Sequence, residues 1–207
     1  MSLSVFSLVT ADAVDERGHL GEFRVGGYPK KRLRNLAIYD PPPGFIRVDE
    51  RTREKKVSPN FRLGQFLCKQ VGGYPKYLAL DPALLVKLEK ILAALNAAGR
   101  RTDSLHVMSG YRTPWYNAAI GNVKYSRHLW GGAADIFVDA DPRDGVMDDL
   151  NRDGVVNRED AVWLAGFIDE MASSGQFETP GGIGSYGSTS AHGPFVHVDV
   201  RGYRARW

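Results

Sequence analysis

The chain has 207 residues, 43% hydrophobic and 25% charged, with a formal net charge of +3. That composition suits one soluble domain able to fold without disulfide or metal staples. It gives no grounds for nucleic-acid binding, and no apolar run is long enough to span a membrane. The single Cys68, in Phe66-Leu67-Cys68, reads as a buried structural thiol. The opening residues lack the basic start of a signal peptide, so an exported protein would need a targeting segment not present in this chain.

Residues 1–57 show little periodicity and contain Pro41-Pro42-Pro43-Gly44, which predicts an irregular arm packing on the main domain, with a strand at Gly44–Val48. The basic stretch from Arg24 to Lys56 reads as solvated surface. The hexapeptide Val-Gly-Gly-Tyr-Pro-Lys stands at Val25–Lys30 and again at Val71–Lys76, but the flanking residues do not match and set no repeat period. Ser58-Pro59 predicts a short helix through Lys69. The strongest helix is Pro82–Ala98, with Asp81 placed to cap it and Leu84, Leu88, Ile91 and Leu95 on one stripe. Strands are predicted at 105–108, 134–138 and 195–200, and helices from Pro114 to Gly121 and from about Arg158 to Met171. Elements in this order predict an α+β fold, a small antiparallel sheet with flanking helices.

Three polar residues stand in or beside strands where apolar ones would be usual: His128, Asp135 and His197. Two imidazoles and a carboxylate, with water fourth, make an open zinc site; on this pattern alone each could equally be a satisfied structural residue. Their context is more specific. Ser126-Arg127-His128-Leu129-Trp130-Gly131-Gly132-Ala133-Ala134-Asp135 fits S-x-H-x-x-G-x-A-x-D at every fixed place. Ser109-Gly110-Tyr111-Arg112-Thr113-Pro114 precedes it, and Phe195-Val196-His197-Val198-Asp199 follows. These ordered blocks resemble the zinc D-alanyl-D-alanine peptidase family, whose fold is shared with lysostaphin-type endopeptidases and the hedgehog domain. The resemblance covers residues 58–207 and implies that His128, Asp135 and His197 bind zinc, that Arg112 faces substrate, and that Ser109, Tyr111 and Ser126 line the site. It implies peptidoglycan peptides as substrate, a periplasmic or extracellular location and a monomer.

One departure bears on catalysis. Where relatives carry an acid three residues before the last His, or a His two before it, this chain has Pro194 and Phe195. Asp199, on the same strand face as His197, is the leading substitute, either approaching the metal water or orienting a ligand; His192 is the second. An alternative reading is therefore a zinc-containing cell-wall-binding module with weak or lost catalysis.

A second metal site is expected between the last two blocks. Asp149, Asn151, Asp153, the Val155 carbonyl and Asp160 fall at positions 1, 3, 5, 7 and 12 of a calcium loop, with Gly154 at position 6. Asp160 replaces the usual Glu, a pattern that resembles dockerin loops. The acidic stretch at about 139–160 is thus read as an inserted structural calcium staple in a domain spanning 58–207.

Overall fold

The computed structural model describes residues 3–207. The architecture is α+β, with helices α1 (Pro82–Ala97), α2 (Pro114–Ala119) and α3 (Arg158–Ser173). The chain divides into two compact units, one formed by the chain up to Pro82 with Ser109–Ala133, the other by Ala83–Met108 with Ala134–Trp207. Residues of the predicted arm thus share a unit with later segments.

The first unit contains β1 (Leu8–Thr10), β2 (His19–Leu20), β3 (Phe23–Arg24), β4 (Gly44–Val48) and β5 (Lys76–Leu78). Strand β4 is central in an antiparallel sheet, pairing Phe45 with Val9 and Arg47 with Tyr77. The β2–β3 pair forms a separate hairpin. The helix expected over 58–69 is absent; only a 3-10 turn, Leu63–Phe66, forms there. The backbone partners explain this. Val57 N–H donates to Phe61, Leu63 N–H to Lys55, and Lys56 bridges Arg62, so the segment folds back on its predecessor instead of bonding four residues along. Helix α2 starts as expected: Pro114 occupies the first turn and the Thr113 hydroxyl accepts from Tyr116 N–H.

The second unit is built on a five-stranded sheet of β6 (His106–Ser109), β7 (Ala133–Phe137), β8 (Gly182–Tyr186), β9 (Phe195–Asp199) and β10 (Ala205–Arg206), in the order β10-β8-β9-β7-β6. Strands β8 and β9 are antiparallel with Gly184 opposite His197. Helix α3 packs on them through buried Ala161, Leu164, Ile168 and Met171. Helix α1 buries the predicted stripe, but Lys87 is buried with it. Among the described residues, no helix is long and apolar enough to cross a membrane.

In the first unit, a 3-10 turn at Arg127–Trp130 ends on Gly131, whose φ of 63° is left-handed. A Cβ on Gly131 would overlap the Ala79 carbonyl. Gly131→Ala is therefore expected to cost about 2 kcal/mol or more, from the left-handed backbone and the clash together. Thermal melts should register a fall in Tm of at least about 4 °C.

Candidate metal centre

His128 is presented by that 3-10 turn. Its ring Nδ1 donates to the Gly110 carbonyl at 2.6 Å, which makes Nε2 the nitrogen it can offer a metal. The turn is held from several sides within the first unit. Arg112 N–H donates to the His128 carbonyl, Tyr28 Oη–H donates to the Leu129 carbonyl at 2.8 Å, and Trp130 Nε1–H donates to that of Asp40. The Arg127 guanidinium lies 5.2 Å from the Tyr39 ring centre and 5.5 Å from that of Trp130. Gly110 lacks a Cβ where one would press on the Phe66 backbone, and Tyr111 N–H bonds the Phe66 carbonyl. These contacts fix the Ser109–Arg112 block beside the turn.

In the second unit, Asp135 on β7 and His197 on β9 are buried and face each other, with Asp135 Oδ1 2.9 Å from His197 Nδ1. On the other side of the ring, His197 Nε2 stands 3.1 Å from Asp199 Oδ2. Asp199 is fully buried. Its Oδ1 accepts from the backbone of Gly182 and Arg201, and the Arg201 side chain bonds both oxygens. The Lys87 ammonium donates to the Asp199 backbone carbonyl at 2.7 Å. Burial pushes the Lys87 pKa down to about 8, against the raising influence of Asp199. Burial would raise the Asp199 carboxyl, but His197 and Arg201 hold it far below the usual carboxylate range. Burial would likewise lower His197, but the Asp135 and Asp199 carboxylates raise it above the ordinary imidazole value.

His128 in the first unit and Asp135 and His197 in the second are each buried, and each offers a ligand atom. The donor set fits zinc. Two imidazole nitrogens and a carboxylate oxygen are its usual ligands in sites that keep a position open. Each imidazole has its second nitrogen turned to an acceptor, Gly110 O for His128 and Asp199 Oδ2 for His197, which fixes ring orientation. With Nε2 taken by Asp199, Nδ1 is the His197 nitrogen on the Asp135 side.

The other residues singled out in the sequence fall differently. Arg112, 8% exposed, has its Nε–H bonded to Ser109 Oγ at 2.8 Å, so Ser109 braces Arg112. Ser126 is buried at the start of the 3-10 turn. Tyr111, expected to line the site, is 1% exposed, packs on Phe45, and shares a 3.0 Å hydrogen bond with the Tyr28 hydroxyl. Of the two roles expected of Asp199, the geometry fits orienting a ligand: its carboxylate is bonded to the His197 ring, the Arg201 guanidinium and two backbone amides. His192 sits edge-on to Phe195 with Nδ1 2.8 Å from the Gly193 carbonyl.

In the 149–160 loop, Asp149 accepts from the amides of Arg152, Asp153 and Gly154, and Gly154 adopts φ 85°. Asp160 accepts from Leu150, Asn151 and Asn157 and, with the Asn157 side chain, forms the capping box of α3. The carboxylates are thus engaged by backbone amides.

Sequence reasoning missed Lys87 and Trp207; of these, Lys87 left a signal, because it interrupts an apolar helical stripe. The Trp207 ring lies 5.3 Å from that of His197, with Arg201 4.9 Å over it. Gly184 makes room for it, since a Cβ there would meet the indole.

Residues 63–156 match the family model Peptidase M15. The M15 match spans somewhat under half the chain; it contains Arg112, His128 and Asp135 and ends before His197. It supports a hydrolase of the metallopeptidase kind, and the α+β architecture agrees with an M15 peptidase fold. No curated protein matches the chain.

The two carboxylates around His197 set a pH dependence. In the metal-free protein they favour the imidazolium, so their stabilisation is complete below the unfolded His value of about 6.5 and fades as pH rises through the raised folded value. Zinc requires the neutral ring and gains over the same interval. Paired melts from about pH 5.5 to about pH 8.5 should show the gap between zinc-loaded and metal-free Tm widening with pH. A gap independent of pH would remove His197 from the ligand set.

Proposed function

We propose that the chain is a zinc metallopeptidase that cleaves D-amino-acid-containing peptide bonds of bacterial cell wall, in the periplasm or outside the cell. The observation that carries this reading is that His128, Asp135 and His197 are all buried and that both imidazoles have one ring nitrogen fixed by a hydrogen-bonding partner, which leaves the other for a metal. The M15 match and the S-x-H-x-x-G-x-A-x-D block support the same chemistry. Zinc held there would acidify its bound water and polarise the scissile carbonyl.

The chain's own residues supply orientation and charge. Arg112, braced by Ser109 and tied through its backbone to His128, places a guanidinium to grip a substrate carboxylate or to stabilise oxyanion charge. Asp199 acts through His197: it fixes the ring that binds the metal and is itself fixed by Arg201. Zinc-loaded protein incubated with muropeptides ending in D-alanyl-D-alanine is expected to release D-alanine or shorter peptides, read by mass. His197→Ala should lose metal and hydrolysis together. Arg112→Ala should keep zinc and lower turnover by about 10² or more. Asp199→Asn should weaken zinc by about 10- to 100-fold in a chelator competition.

A second reading has its own observation. Pro194 and Phe195 occupy the places of the family's acid-base groups, and Asp199 is consumed by its partners. On that reading the protein binds zinc and cell-wall peptide without turning it over; bound metal and bound muropeptide with unchanged masses would establish it.

Calcium in the 149–160 loop is the second metal of the proposal. The ligand spacing and the left-handed Gly154 support it, with Asp149 bonded to the Gly154 amide at the sharp turn. Calcium should raise Tm by mass action and leave hydrolysis unchanged. A melt indifferent to calcium and to chelator would leave Asp160 as the cap of α3 alone.

A further inference from the structure

The first unit holds a cavity of about 600 Å³ that the chemistry above does not use. Its walls are the β2–β3 hairpin, the second copy of the hexapeptide and Trp115 of α2. The two hexapeptide copies have separate fates. The Tyr28 hydroxyl of the first is committed to Tyr111 and Leu129. Tyr74 of the second stands half-buried in the cavity wall.

The lining combines aromatic faces with polar groups that lack partners. The Trp115 ring is held in place by the Arg24 guanidinium, 4.8 Å from its centre. Gln70 is 4% exposed, lines the cavity, and its Nε2 has no hydrogen-bond partner. His19 Nδ1, also in the lining, is buried without a hydrogen bond; its nearest carboxylate oxygen, on Asp15, is 3.7 Å away. An unpaired buried polar atom costs about 1–3 kcal/mol, and such groups persist where something else supplies the bond. A purely apolar ligand would leave both atoms unpaired. An anion would meet Glu22 beside Arg24 and Lys76. A pyranose answers both demands, with apolar C–H faces for the rings and hydroxyl oxygens for the orphaned donors.

We propose that this cavity binds pyranose units of a glycan strand, with Trp115 and Tyr74 against the sugar's C–H faces and Gln70 and His19 bonding its oxygens. The choice of a glycan strand rests on the cell-wall reading above; the sugar chemistry does not. Trp115 follows Arg112 by three residues, so the same short segment would carry both the peptide-facing guanidinium and the sugar platform.

Calorimetric titration of the full chain with chitotriose, and with peptide-free glycan strands from peptidoglycan, tests the assignment. Binding with a Kd of about 1 mM or tighter is expected for both. Tyr74→Ala and Gln70→Leu should each weaken it by about tenfold, the loss of one good contact. Gln70→Leu should melt at or above the wild-type temperature because it removes an unpaired buried group, so lost binding there is not lost folding. Both variants should cleave short soluble D-alanyl peptides as the wild type does, and His197→Ala should still bind chitotriose. Silence with both glycans, or equal heats from wild type and variants, overturns the assignment. Sugar binding without cleavage of any peptide would overturn the peptidase reading and leave the sugar site standing.

Discussion

A single buried carboxylate sets the geometry of the second unit. Asp199 is charged, fully buried and far from its ordinary titration range. Such a group persists only when its oxygens are bonded and its charge is opposed. Arg201 supplies the charge, the Gly182 and Arg201 amides supply bonds, and His197 takes one oxygen. The two glycines at the start of β8 follow from this crowding: a Cβ at Gly182 would lie 2.6 Å from Asp199 Oδ2, and one at Gly181, just before the strand, would overlap the Asp199 carbonyl. The orientation of the His197 ring is thus a product of satisfying Asp199.

His128 is governed by a separate set of constraints in the first unit. Its ring is aimed by the Gly110 carbonyl and its turn is closed by left-handed Gly131. Residues of the N-terminal arm supply the remaining support, with Tyr28, Tyr39 and Asp40 each touching the turn or its flanking side chains. The hydrophobic cluster of Tyr39, Leu129 and Trp130 sets the Arg127 guanidinium against two rings, while its neighbour His128 offers a ring nitrogen to a metal. Alternate residues of one short turn therefore do structural and chemical work.

Much of this was legible in the sequence, and the exceptions have physical causes. Helices α1, α2 and α3 and strands β4, β6, β7 and β9 appear within a residue or two of their predicted bounds, because apolar periodicity and caps such as Thr113 and Asn157 act locally. The short strands β1, β5 and β10 exist only through pairing with distant partners and have no periodicity to read. The 58–69 helix does not form because its backbone pairs with the preceding residues 55–57. At the site, the motif blocks and the resemblance they carry pointed to His128, Asp135 and His197, but they could not say which oxygen or nitrogen each side chain faces. That is why the sequence leaves two roles open for Asp199, and the hydrogen bond to His197 favours the orienting one.

The duplicated hexapeptide illustrates how little six identical residues determine. Val25–Lys30 and Val71–Lys76 share every side chain, yet Tyr28 is a prop inside a hydrogen-bonded network and Tyr74 belongs to a cavity wall. The difference originates in what surrounds each copy: the first runs alongside α2, with Gly26 pressed on Trp115, while the second leads directly into β5. An alignment anchored on these letters would superpose two unrelated environments.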